Sequence, residues 1–326
     1  MRKPSNAAWC GALIYSVMLG ACAAPSDDSE MLVDAGLDSS GEAPDANTTN
    51  EATRPPGVAL CYTPTAEANP AVGQFRTALR ANDRASRAQV ITALEAAASA
   101  LPNEELVHLY LGLAHLWRLA EPLSGEDGLF AQLGDATGAR DHLRTAYQLC
   151  PTDNRIAAWL GPVLVQFGRR LSDTAQVDEG LAILDQGIAA YPSFVLFSKL
   201  LVFADSPRTS PEFASAYEAV TMNLQLCAQT PNDPACSNAT APHNREGGGL
   251  FMGDAMTKAL QRDAAQAAYV GVQSEPDYSA WPYGATLEGR MQQLDARIGL
   301  YSNASDSDDP AAAWSAPNQC ALCHQE

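Results

Sequence analysis

Apolar residues recur at intervals of three and four through residues 59–302, and runs that alternate between apolar and polar residues are absent there. This spacing predicts an all-α body. The predicted helices cover residues 86–101, 104–119, 136–149, 153–170, 176–190, 193–204, 211–228, 248–273 and 284–301. Pro102, Pro151 and Pro192 each end one of them, because proline cannot continue a helix.

A repeated pattern of residue size precedes each of these three prolines. Small, large and small side chains lie twelve, eight and five residues before the proline. The three sets are Val90, Leu94 and Ala97; Ala139, Leu143 and Ala146; and Gly180, Leu184 and Gly187. Small residues let two helices approach closely, and the larger residue fills the gap between them. The pattern resembles the second helix of a tetratricopeptide repeat (TPR).

The TPR resemblance extends to the first helix of the repeat and covers residues 86–192. The Leu-Gly pair of that helix is present at Leu111-Gly112 and Leu160-Gly161, and a later copy is suggested by Met252-Gly253 with Ala265 and Tyr269. The sequence departs from the family in its helix–helix turns, because those over residues 120–134 and 171–177 are longer than a 34-residue period allows. The resemblance implies a TPR-like array of helical hairpins, with an irregular helical array as the alternative. TPR arrays usually bind peptides or proteins in a concave groove and are not generally enzymes.

The first 21 residues have the organisation of an export signal. Arg2 and Lys3 precede an apolar stretch, residues 7–19, which is too short to span a bilayer. The following Leu19-Gly20-Ala21-Cys22 resembles the lipobox of bacterial lipoproteins, in which cleavage precedes the cysteine. This resemblance implies that Cys22 is lipidated and anchors the protein in the cell envelope. The expected location is the outer membrane, with the protein facing the periplasm. An ordinary signal peptide is the alternative.

Residues 22–58 are expected to form a disordered acidic tether. From residue 23 onward they contain eight acidic residues, one arginine and no aromatic residue, so they cannot bury enough apolar surface to offset the entropy of ordering. The whole chain has a formal net charge of −18. Because no basic stripe is present to displace counterions, nucleic acid is not an expected partner.

The remaining cysteines fit an oxidising compartment. Cys227 and Cys236 bracket a short loop that contains two prolines, and we predict a disulfide between them. Cys61 and Cys150 could pair as well, but the sequence does not fix this pairing.

The C-terminal tail, residues 303–326, contains the motif that indicates a specific cofactor chemistry. Cys320-x-x-Cys323-His324 has the spacing of covalent c-type haem attachment. The two thiols would form thioethers with one haem, and His324 would be its proximal axial ligand. The tail supplies too few ligands for a structural zinc site, and it lacks the βαβ surroundings of a thioredoxin-like pair. A plain disulfide between Cys320 and Cys323 remains an alternative, because no cytochrome c domain surrounds the motif.

A second axial ligand would have to come from elsewhere in the chain. His243 lies in the segment 241–249, which contains three consecutive glycines that could let the backbone approach a flat ligand. Met252 and Met256 are weaker candidates for this distal ligand. His108 and His115 lie seven residues apart on one helical face, but no further ligands accompany them, so a metal site is not expected there.

These observations favour a lipid-anchored, periplasmic c-type haem protein that acts in electron transfer, with its haem docked on a TPR-like body and a protein partner held by the array. The alternative is a lipoprotein scaffold without haem, which binds a partner through the TPR-like groove and keeps Cys320 and Cys323 as a disulfide. No Ser-His-Asp set, phosphate-binding loop or carboxylate pair predicts an enzyme.

Overall fold

The computed structural model of this chain describes residue 61 and residues 68–80, 83–119, 125–203, 206–231, 233–236, 245–275, 278–280 and 284–303. In this part of the chain the secondary structure is helical, without β-strands, which confirms the all-α class. The helices are α1 Ala68–Arg80, α2 Arg87–Ala100, α3 Glu105–Leu119, α4 Gly125–Leu149, α5 Asn154–Leu171, α6 Thr174–Ala190, α7 Pro192–Phe203, α8 Pro211–Gln229, α9 Arg245–Lys258, α10 Arg262–Gln273, α11 Gly284–Gln292 and α12 Leu294–Asn303.

Consecutive helices pack as hairpins, α3 with α4, α5 with α6, α7 with α8 and α9 with α10. Short polar side chains cap the N-termini of several of these helices by accepting a hydrogen bond from a backbone N–H. Asp153 accepts the N–H of Arg155 at the start of α5, and Asp173 accepts that of Gln176 at the start of α6. Ser210 does the same for α8, whose first residue is Pro211.

The first helices of three hairpins form the centre of the core. α3 is buried except at Arg118, α5 is buried from Ile156 to Gly168, and α7 is buried except at Pro192 and Lys199. These helices are apolar around most of their circumference, which is typical of helices enclosed on all sides. α6, and α4 from residue 133 onward, bury only one face against them.

Several predicted boundaries are wrong. α1 lies outside the predicted set, although Val72, Phe75 and Leu79 have helical spacing. α4 begins at Gly125 rather than at residue 136, because glycines of low helix propensity weaken the pattern there. Residues 125–134, predicted as part of a connection, are therefore helical, and α6 begins at Thr174 rather than at residue 176.

The helix predicted over residues 248–273 is two helices, α9 and α10. Leu260 between them has a φ of 61°, a left-handed conformation that branched and bulky residues rarely adopt. The Gln261 N–H donates to the Met256 carbonyl at 2.8 Å and satisfies the end of α9. Neither glycine nor proline marks this break, so the sequence gives no local signal for it. The predicted helix 284–301 is also divided, at Gln293.

Two disulfides cross-link the body. Cys227 at the end of α8 is joined to Cys236, the pair that the short loop predicts. Cys61 is joined to Cys150, which follows α4, and this second bond encloses a much longer loop. Within the described ranges, no helix is both long enough and apolar enough to cross a membrane.

Candidate functional site

The residues predicted to attach the haem and the lipid are not part of the described structure. Cys320, Cys323, His324, the lipidation candidate Cys22 and the distal-ligand candidate His243 all lie outside the described residues. His243 precedes the first residue of α9 by two positions in the sequence.

The two methionines considered as ligands are on α9 and belong to its packing surface. Met256 is buried within the hydrophobic core, and Met252 packs against that core while partly exposed. Withdrawing Met256 to bind an iron would leave a cavity that costs roughly 2–5 kcal/mol. Packing therefore already accounts for both side chains.

Gly249 serves close helix packing in this structure. α9 begins at Arg245, so the consecutive glycines lie in a helix rather than in the predicted loop. A Cβ atom on Gly249 would clash with Val272, and one on Gly253 would clash with the ring of Tyr269, both on α10. The space that a glycine leaves at these two positions is occupied by α10 and not by a ligand.

A buried carboxylate, Asp254, holds α9 to α10 and α12. The Tyr269 hydroxyl donates to Asp254 Oδ1 at 2.6 Å, and Arg297 Nη1 lies 2.7 Å from the same oxygen. Burial, with the nearby charge of Asp254, raises the pKa of the Tyr269 phenol. Arg290 approaches the other carboxylate oxygen at 3.6 Å. Every member of this network is engaged in joining helices, which is a structural role.

Three histidines meet at the interface between α3 and α4. His108 and His142 approach at 3.1 Å between their Nδ1 atoms, and the rings of His115 and His142 are stacked within 3° of parallel. We call His108, His142 and His115 the histidine row. The sequence suggested His108 and His115 as neighbours on one face and missed His142. The contact of Gly112 with Leu143 sets a register between α3 and α4 that places the adjacent His142 between the other two histidines, and spacing within either helix does not give this register.

A salt bridge lies at the His115 end of the histidine row. His115 Nδ1 lies 2.8 Å from Asp135 Oδ1, and Arg118 binds both oxygens of the same carboxylate. Burial alone would raise the pKa of Asp135, but the hydrogen bonds from His115 and Arg118 outweigh burial and lower it. A Cβ on Gly138 would lie 2.8 Å from His115 Nε2, so that nitrogen faces the backbone of α4. There is no space for a substrate at this His–Asp pair.

Metal binding has no support among the described residues, where no group of three histidine, cysteine, aspartate or glutamate side chains could hold an ion. The histidine row does not meet this condition because its rings stack and bond to each other instead of converging.

The first helices of the three central hairpins, α3, α5 and α7, are buried nearly all round. The concave groove that the TPR resemblance implies stays a prediction. No family model, curated protein or solved structure matches this chain.

Proposed function

We propose that this protein is a lipid-anchored, extracytoplasmic c-type haem protein that acts in electron transfer. The observation that carries the proposal is the Cys320-x-x-Cys323-His324 spacing at the end of the chain. Cys320 and Cys323 would hold the haem through thioethers, and His324 would be the proximal ligand. The haem supplies the one-electron chemistry, while the protein binds and orients it.

The two disulfides support the compartment that this proposal requires. Bacterial c-type haem is attached outside the cytoplasm, and disulfides persist in the same oxidising surroundings. Cys61–Cys150 and Cys227–Cys236 therefore agree with an export signal that is cleaved before Cys22.

The end of the helical body limits where the haem can be. α12 ends at Asn303, and Cys320 follows it by 17 residues. A chain segment of this length spans at most about 60 Å. His243 is the first candidate for the distal ligand, because the core holds Met256 and packs against Met252. A methionine ligand would give a higher potential than a second histidine.

Covalent haem can be tested directly on the full chain, exported with its own signal in cells that mature c-type haem. We expect a haem stain that survives denaturing electrophoresis and an alkaline pyridine haemochrome spectrum, both lost in Cys320→Ser/Cys323→Ser. The matched control Cys227→Ser/Cys236→Ser removes a pair outside the motif and should keep the haem. Absence of covalent haem in the wild-type chain would overturn the proposal. In the same preparation, an unchanged low-spin spectrum in His243→Gln would exclude His243 as the distal ligand.

The alternative is a scaffold that binds a protein through the TPR-like groove. It predicts a partner that co-purifies with the wild-type chain and equally with Cys320→Ser/Cys323→Ser.

A further inference from the structure

The histidine row lies at the centre of the longest hairpin, where α3 and α4 pack face to face. The rings of His108 and His142 are 5.3 Å apart and inclined by 24°, and those of His115 and His142 are 5.8 Å apart. His142 is thus placed between two other imidazoles. His108 and His115 are nearly fully buried, and His142 is partly exposed at the rim of the interface.

The hydrogen bonds of the row fix where its protons can be. His108 Nε2 is 3.2 Å from the Pro102 carbonyl, which can only accept, so His108 carries its proton on Nε2. His108 Nδ1 is then bare and accepts from His142 Nδ1. If both rings were imidazolium, two N–H groups would point at each other across 3.1 Å. The contact between His108 and His142 therefore requires that His108 be neutral.

Charged groups around the row do not compensate for added protons on His142. The negative charge of Asp141 favours protonation of His142, while the charges of His108 and His115 oppose it. Asp141 is exposed and paired with Arg140, and Asp135 is already bound by Arg118 and His115. The charged groups of the neighbouring helices contact other residues: Arg76 of α1 with Tyr110, Arg87 of α2 with Trp117, Asp153 with Arg155 in α5, and Glu179 of α6 with Arg144.

The interface is also too tight to admit water or an ion without moving a helix. A Cβ on Gly112 would lie 2.7 Å from Leu143 Cγ, and one on Gly138 would lie 2.8 Å from His115 Nε2. These contacts flank His142 on α4. The Cys61–Cys150 disulfide lies just beyond the end of α4 and joins that end to the chain seven residues before α1.

We propose that the histidine row is an acid-sensitive latch, in which proton uptake by His108 and His142 separates α4 from α3 while the disulfide-anchored body stays folded. Such a device suits an envelope protein, whose surroundings follow the external pH, but it does not depend on the presence of haem.

Electrostatics gives the direction and the pH range. Burial, then the charges of His108 and His115, lowers the pKa of His142 to about 4, and burial lowers the pKa of His108. Both values are below the ordinary value of about 6.5 for an unfolded chain. The contribution of these two histidines to the stability of the closed hairpin is therefore complete above pH ~6.5 and is lost as the pH falls toward 4. Glu105 at the start of α3, whose pKa burial raises to about 7, acts in the opposite direction over part of this range.

Amide hydrogen exchange on the full chain, read by mass spectrometry at pH 7.5 and 4.5 and corrected for intrinsic exchange rates, measures the opening. For one proton linked to opening, the opening constant of α3 and α4 peptides should rise roughly 50-fold, while α6 and α7 peptides keep their protection. His142→Phe keeps a stacked ring but cannot take up a proton, so the pH dependence of its hairpin opening should fall to the part that His108 contributes.

Tyr147→Phe is the matched control, because it removes a hydroxyl on α4 that contacts Gln186 and leaves the row intact. It should retain the wild-type pH dependence. Three results would each overturn the latch: unchanged protection of α3 and α4 at pH 4.5, equal loss across α6 and α7, or wild-type pH dependence in His142→Phe. His142→Gln provides a second variant in case His142→Phe does not fold.

Discussion

Single glycines determine how closely the two helices of a hairpin approach. At the α5–α6 contact, a Cβ on Gly180 would lie 2.7 Å from the Gly161 carbonyl oxygen and 2.9 Å from Leu164 Cβ. The first neighbour is backbone, which cannot rotate away as a side chain can. Real Cβ atoms essentially never come so close, so the two helices must separate if Gly180 gains a side chain.

We predict that Gly180→Ala destabilises the protein by about 1–3 kcal/mol, because the overpacked helix pair has to shift. Urea unfolding followed by circular dichroism measures this change. The control is Gly73→Ala on α1, where a Cβ would meet no atom within 4 Å. That substitution should raise stability by about 0.5–1 kcal/mol, since alanine is the better helix former. Equal effects of the two substitutions would mean that α5 and α6 are not in close contact at Gly180.

The residue scale is also where the sequence was most informative. The small–large–small pattern before each proline identified Leu143 and Leu184, and the structure places them against Gly112 and Gly161. The TPR-like arrangement as a whole stays a prediction. His142 was not predicted to join His108 and His115, because that contact depends on the register between two helices rather than on spacing within one.

At the scale of elements, the errors arose where local signals conflict with packing. Glycines weaken the helical pattern over the first turns of α4, and Pro70 weakens it at the start of α1, although proline is tolerated in a first helical turn. The break at Leu260 has no local signal because tertiary contacts impose it: α10 folds back along α9 against Gly249 and Gly253. The boundaries of buried helices such as α3 and α5 were predicted to within one residue.

The N-terminus of α3 contains a carboxylate that is unusually placed. Glu105 is 2% exposed, and its Oε1 accepts no hydrogen bond from the described residues. Burial raises the pKa of Glu105 to about 7, with the charge of Asp153 adding to the effect. Its folded-state pKa lies above the unfolded value near 4.5, so its contribution to stability is complete below pH ~4.5 and is lost as the pH rises through 7.

We therefore predict that Glu105→Gln, which keeps the shape and removes the charge, stabilises the protein by about 1–3 kcal/mol at pH 8 and has little effect at pH 4.5. Urea denaturation at the two pH values measures the difference. Glu212→Gln in the exposed first turn of α8 is the control. It should change the free energy of unfolding only slightly, and by a similar amount at both pH values. A stabilisation by Glu105→Gln that does not depend on pH would show that Glu105 is not ionising near neutrality.

At the scale of the whole molecule, the enclosed helices α3, α5 and α7 give the described body one continuous hydrophobic core. The sequence predicted the helical class because helical periodicity is a local property. It left the pairing of Cys61 with Cys150 open, because the distance between residues so far apart depends on the complete fold.

The two disulfides should stabilise this body unequally, since one closes a loop of sequence separation 89 and the other a loop of separation 9. In the chain-entropy model the longer loop contributes about 4.6 kcal/mol and the shorter about 2.7 kcal/mol, because the cross-link restricts the unfolded chain more when the loop is long. We predict that Cys61→Ala/Cys150→Ala lowers the free energy of unfolding more than Cys227→Ala/Cys236→Ala does. Cys150 is completely buried, so replacing it with alanine adds a small cavity and increases the difference in the same direction. Guanidinium unfolding of both variants measures the two losses, and a greater loss in Cys227→Ala/Cys236→Ala would mean that the end of α8, rather than the Cys61–Cys150 cross-link, limits the stability of the body.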